Sequence, residues 1–210
     1  MKIYREITLP AELSGRLTAV YDEIQQAYDG VARRMGLTCS GCPDNCCDSY
    51  FLHYTYTEWA YLWEGLRKME EKKLAAVTER AAQYREHTRR SLAGGSRPGQ
   101  MCPLEEGGRC TLYSHRMLIC RLHGIPAVMT RPDGRKLRFP GCFRCQEIAG
   151  AAASPEDLPA MDRTAVLGKI AEIESELLRG RRHLFPRVKK TIADMIADGP
   201  PLVDKPFCER

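Results

Sequence analysis

The chain has 210 residues, 43% hydrophobic and 28% charged, which suits one soluble domain with a real core and removes any need for disulfide staples. No apolar run nears the roughly 20 residues of a membrane-crossing helix, and Met1-Lys-Ile-Tyr-Arg-Glu-Ile-Thr carries no export signal. The expected setting is therefore the reducing cytoplasm, where paired thiols serve as metal or redox sites. The formal charge of +5 counts ten cysteines as neutral thiols, and eight metal-bound thiolates with two divalent ions bring it to about +1; charge singles out no partner.

From Pro10 to Met35, apolar residues recur at three- and four-residue steps: Leu13, Leu17, Val20, Tyr21, Ile24, Tyr28, Val31 and Met35. This predicts one helix over 10–36, with Pro10 in its first turn and Gly36 as its stop. A cysteine-rich loop follows, Cys39-Ser-Gly-Cys42-Pro-Asp-Asn-Cys46-Cys47. Two thiols separated by two residues bend onto one metal ion, helped by the tight turns that Gly41 and Pro43 supply. Cys46 reaches the same centre, whereas neighbouring side chains diverge, so Cys47 points more naturally to a second ion.

A second long helix is predicted over 57–92, capped by Thr57 and buried through Trp59, Leu62, Trp63, Leu66, Met69, Leu74, Val77, Ala81 and Tyr84. Gly94-Gly-Ser-Arg-Pro-Gly99 ends it. Cys102-Pro-Leu, Cys110-Thr-Leu-Tyr and Cys120-Arg come next. A hairpin is expected from Ile125–Thr130 through Pro132-Asp-Gly134 to Lys136–Phe139, bringing Cys142 back toward Cys120. Helices around 159–179 and 186–197 follow, and a proline-containing tail from Gly199 is expected to be irregular. The predicted architecture is a single domain over 1–210, mainly α with a small β-hairpin, its helices packed around a cysteine-rich metal-binding centre. Within it lie the N-terminal helix (10–36), a cysteine-cluster core (39–145) and a C-terminal helical extension (155–198).

Nine of the ten cysteines fall in or beside polar loops, against the usual placement of free cysteine as a small core residue. Cys145 and His123 are additional candidate ligands, and Cys208 is an incidental thiol. Arg121 is expected in the shell around the sulfurs, donating hydrogen bonds and offsetting thiolate charge, with Arg116 an even choice between that and plain surface. His53 and His115 are read as ordinary hydrogen-bonding residues. The basic run Arg179, Arg181, Arg182, His183, Arg187, Lys189 and Lys190 is read as solvated, because stacking aromatics are sparse there; nucleic acid is not an expected partner.

The order Cys-x2-Cys-x3-Cys-Cys, Cys-Pro-Leu, Cys-Thr-Leu-Tyr, Cys-Arg resembles the YkgJ-type cysteine-cluster family of zinc- or iron-chelating domains over about residues 39–145. The resemblance implies eight ligating cysteines, Cys39, Cys42, Cys46, Cys47, Cys102, Cys110, Cys120 and Cys142. The family's Arg-Pro before Cys-Arg is replaced here by Arg116-Met117, which leaves every thiol in place. Zinc would make a closed structural knot supporting a protein-partner surface, and iron, as an iron–sulfur cluster, would add electron transfer or sensing. The vicinal pair and the number of thiols lean toward iron. No phosphate loop, dinucleotide fingerprint, serine elbow or His-Glu-x-x-His pair points to catalysis. The alternative is an iron–sulfur-dependent protein-modifying enzyme, since the cysteine arrangement also resembles flagellin lysine N-methylase, which uses S-adenosylmethionine.

Overall fold

The computed structural model describes residues 4–40, 42, 46–151 and 158–204. Gly41, Pro43 and Cys208 lie outside them. The fold is mainly α, with seven α-helices and three small sheets of two or three strands among the described residues. Among the described residues, no helix is long and apolar enough to cross a membrane. The chain divides into two compact units, one of Met1–Ser14, Cys47–Met117 and Glu174–Arg210, the other of Gly15–Cys46 and Leu118–Ile173.

In the first unit, strand β1 (Tyr4–Glu6) pairs antiparallel with β7 (Leu202–Asp204), with Arg5 opposite Val203. The tail expected to be irregular thus supplies a strand. Helix α2 spans Tyr56–Leu66 and α3 Glu71–Ala93; the single helix expected over 57–92 is two. The chain leaves the first through short-range bonds from Lys68 N to Gly65 O (3.0 Å) and Met69 N to Leu66 O (3.1 Å). It restarts with Glu70 extended and Glu71 in the positive first turn. The cap of α2 is Thr55, two residues before the expected Thr57. Its hydroxyl accepts from Glu58 N at 3.1 Å and donates to Glu58 Oε2 at 3.0 Å. Thr57 instead joins Tyr56 in a deeper contact: the buried Glu174 accepts from Tyr56 N (3.0 Å), Thr57 N (2.8 Å) and Thr57 Oγ1 (2.7 Å).

Leu62, Leu66, Val77, Ala81 and Tyr84 of the expected stripe are buried together with Met195 and Ile196 of α7 (Ile192–Ala197). Burying each large aliphatic side chain is worth about 1.5–3 kcal/mol. Both tryptophans donate indole N–H bonds to the Met195 carbonyl, Trp59 at 3.1 Å and Trp63 at 2.9 Å. A small hairpin, β2 (Glu105–Glu106) with β3 (Arg109–Cys110), turns through Gly107 and Gly108, both at positive φ.

In the second unit, the stripe of α1 (Ala11–Met35) buries Leu17, Val20, Tyr21, Ile24, Val31 and Met35 as read from the sequence, and Gly36 ends it at φ 63°. Helix α4 (Leu118–Leu122) leads into the expected hairpin, β4 (Ala127–Thr130) with β5 (Lys136–Phe139), in the register Ala127 to Phe139. A third strand, β6 (Met161–Asp162), adds parallel to β4. Helix α5 (Phe143–Gly150) follows the hairpin, and α6 (Thr164–Leu177) begins after an Asp162 side chain that accepts from Thr164 N at 2.8 Å. Lys169 of α6 grips the Glu23 carboxylate of α1 at 2.6 and 2.7 Å. The last two helices are shorter than the spans 159–179 and 186–197 expected for them.

Candidate metal centre

Nine cysteines, Cys39 through Cys145, are reduced, with no disulfide among them. Four of those in the second unit are linked electrostatically through Cys39. Cys39 lies within electrostatic reach of Cys46, Cys142 and Cys42. They arrive from two directions: Cys39, Cys42 and Cys46 from the loop after α1, Cys142 from the turn after β5. Burial pushes the Cys39 thiol up, although much of its area is exposed, and the neighbouring sulfurs push it further.

The Cys142 turn is fixed by glycine. Cys142 N donates to the Gly124 carbonyl at 3.0 Å, two residues beyond the helix that carries Cys120. Gly141 sits at φ 87°, and a β-carbon there would stand 2.7 Å from Gly124 O and 2.8 Å from Cys145 Sγ. Gly124 itself is at φ 119°, where a β-carbon would collide with the hydroxyl of Tyr28. That hydroxyl donates to the Cys39 sulfur and lies within reach of Cys142 and Cys46. Burial, then the sulfurs, raise the Tyr28 phenol well above its ordinary value, so it stays a donor. The sequence places Tyr28 on the apolar stripe, and nothing in its spacing marks the hydroxyl; Gly124 and Gly141 likewise carry no motif.

Cys145 is fully buried, donates its S–H to the Pro140 carbonyl at 3.4 Å, and is pushed up to about 11 by burial and by Cys142. It has the surroundings of a core thiol. Arg121 lays its guanidinium over the Tyr21 ring at 4.3 Å, and Arg116 stacks on Tyr113 at 3.8 Å. His123 continues the backbone of α4, its amide bonded to Ile119 O at 2.9 Å. In the same unit Arg163 is buried, stacked on Phe139 at 4.5 Å with one bond to Leu122 O at 2.9 Å.

Three further pattern cysteines stand in the first unit. Cys102 N donates to Cys47 O at 2.9 Å, and Glu105, which bonds back to Cys102 O at 3.0 Å, is the register partner of Cys110. Cys102 and Cys110 pack on the hydrophobic core of that unit. The boundary between the units falls between the vicinal Cys46 and Cys47. Elsewhere in the first unit His53 Nδ1 approaches Glu58 Oε1 at 3.6 Å and His115 stacks on Tyr61 at 4.6 Å. Of the basic run, Arg182 lies over Tyr56 at 5.6 Å and Lys190 over Trp59 at 5.1 Å.

Among the described residues, no group of three or more His, Cys, Asp or Glu side chains is placed so as to hold a metal ion as it stands. The chemistry of the donor set nevertheless fits a soft metal. Four unoxidised sulfurs interact there, and three of them raise the cost of ionising Cys39, which is the burden that a bound cation removes. Zinc or iron–sulfur clusters take such tetrathiolate sets. Compared with protein-family models, curated proteins and solved structures, the chain matches none.

Proposed function

We propose that this chain is a thiolate metal-binding protein whose primary centre is built from Cys39, Cys42, Cys46 and Cys142 and takes zinc or iron. The observation that carries the reading is the electrostatic interaction of Cys39 with the other three thiols, which come from segments about a hundred residues apart in sequence. Cys47, Cys102, Cys110 and Cys120 belong to the same reading as further ligands. Metal would replace the thiol protons, and the resulting attraction would draw loop and turn together. Apparent binding energies of structural zinc sites, about 10–16 kcal/mol, match the total stability of a domain, about 5–15 kcal/mol. The ion would thus decide whether residues 39–47 hold their conformation.

Anaerobic purification with elemental analysis and visible spectroscopy tests this. Colourless protein with stoichiometric zinc identifies one form, and a brown sulfide-containing protein identifies the other. The reading fails if fully reduced protein carries no metal and takes up neither zinc nor iron on titration.

A further inference from the structure

We infer that Tyr28 is a positioning residue of the four-thiol centre, its hydroxyl holding the Cys39 sulfur through a hydrogen bond while lying against Gly124, whose carbonyl fixes Cys142. The inference rests on the metal-binding reading above and adds to it a residue outside the cysteine pattern.

Three observations converge on that one oxygen. It donates to Cys39, the thiol that senses all three others. It occupies the space that any side chain at Gly124 would need. Gly124 O accepts the Cys142 amide at 3.0 Å, so one hydroxyl touches the loop that supplies three sulfurs and the backbone that presents the fourth. Tyr28 stands on a 25-residue helix, seven residues before its end, and is half-buried.

A phenol donating to a metal-bound sulfur does two things. It orients the sulfur lone pairs, and it draws electron density from them, which lowers the energy of the sulfur orbitals. Sulfur-to-metal charge transfer then needs more energy. Loss of the hydroxyl should shift the charge-transfer band to longer wavelength and weaken metal binding, while the helix that carries residue 28 stays formed. A tyrosine that merely filled space would leave the band where it was.

The test uses the full reduced chain titrated anaerobically with cobalt(II), with affinity read by chelator competition. The part of the charge-transfer absorption lost in Cys39→Ser belongs to this centre. Tyr28→Phe should move that part to longer wavelength and weaken affinity about 10- to 100-fold, with far-UV circular dichroism unchanged. 3-Fluorotyrosine placed at residue 28, whose hydroxyl is a stronger donor, should move the band to shorter wavelength, and it decides the question if Tyr28→Phe does not fold. A band and affinity unmoved by the substitution overturn the role of Tyr28 and leave the metal reading standing. Absence of any cobalt–thiolate band in the parent protein overturns both.

Discussion

Glu174 and Thr57 lie 117 residues apart, yet the Glu174 carboxylate accepts both the amide and the hydroxyl of Thr57, at 2.8 and 2.7 Å. Together with the Tyr56 amide this satisfies donors that the first turn of α2 otherwise leaves open. Arg182 stands 3.6 Å from the other side of the carboxylate, so the buried charge has a partner as well as donors. Glu174→Ala should cost about 3 kcal/mol, because it strands donors as well as deleting bonds. Glu174→Gln, which keeps an acceptor, should cost less. Urea denaturation of the two variants checks both the size and the order; equal costs would mean that the charge, and not the acceptor, matters.

At Gly141 the backbone conformation and the local crowding exclude a side chain together. Gly141→Ala should lose about 1–3 kcal/mol from backbone strain alone, with further loss from the contacts a β-carbon would make at 2.7 and 2.8 Å. Gly134, also at positive φ but with open space around its β-position, should suffer only the strain. Thermal melts of the two alanine variants give the comparison.

The cysteines should separate into two chemical groups. Cys39→Ser should lower bound metal, while Cys145→Ala should leave metal content unchanged and instead lower stability, since Cys145 is a buried thiol bonded to Pro140 O. Elemental analysis beside chemical denaturation distinguishes them. Metal loss in Cys145→Ala with unaltered stability would reassign that sulfur to the centre.

Removal of metal should loosen residues 39–47 and 102–145 while the long helices partly survive. Hydrogen exchange before and after chelation maps this; identical protection in those segments would speak against a structural ion.

Tyr84 gives a pH dependence. Burial, followed by Cys102, Tyr50 and Asp194, pushes its phenol up to about 12, from an ordinary value of 10. The raised value in the folded protein means that the neutral form is the one the fold favours. Its contribution is complete below pH 10 and is lost as pH rises toward 12, where the unfolded chain has already given up the proton. Tyr84→Phe should flatten the fall of denaturation stability across that window relative to the parent protein.

Local pattern carried most of the elements. The stripe from Leu13 to Met35 is one helix because its period is unbroken and Gly36 stops it. The hairpin from Ala127 to Phe139 follows from Pro132-Asp133-Gly134 between two short apolar runs. The break at Arg67–Glu70 contains no glycine or proline, Gly65 before it is still helical, and the apolar stripe continues across it through Met69 and Leu74. Strands β1, β6 and β7 are two or three residues long and exist through partners distant in the chain, so no local period marks them. At the candidate centre the sulfurs were legible because cysteine spacing is itself the chemistry. Tyr28 was legible only as an apolar-stripe residue, since a phenol in a helix repeat reads as packing until the position of its oxygen is known.

The indole bonds to the Met195 carbonyl have an optical consequence. Trp59 and Trp63 are the only tryptophans in the chain, and both sit at the joint of α2 and α7. Tryptophan emission therefore watches the first unit, while the part of the sulfur-to-metal absorption that Cys39→Ser removes would, on the proposed reading, watch the second. Heating a single loaded sample and recording both colours would show whether the two halves melt in step or in sequence, without attaching any label.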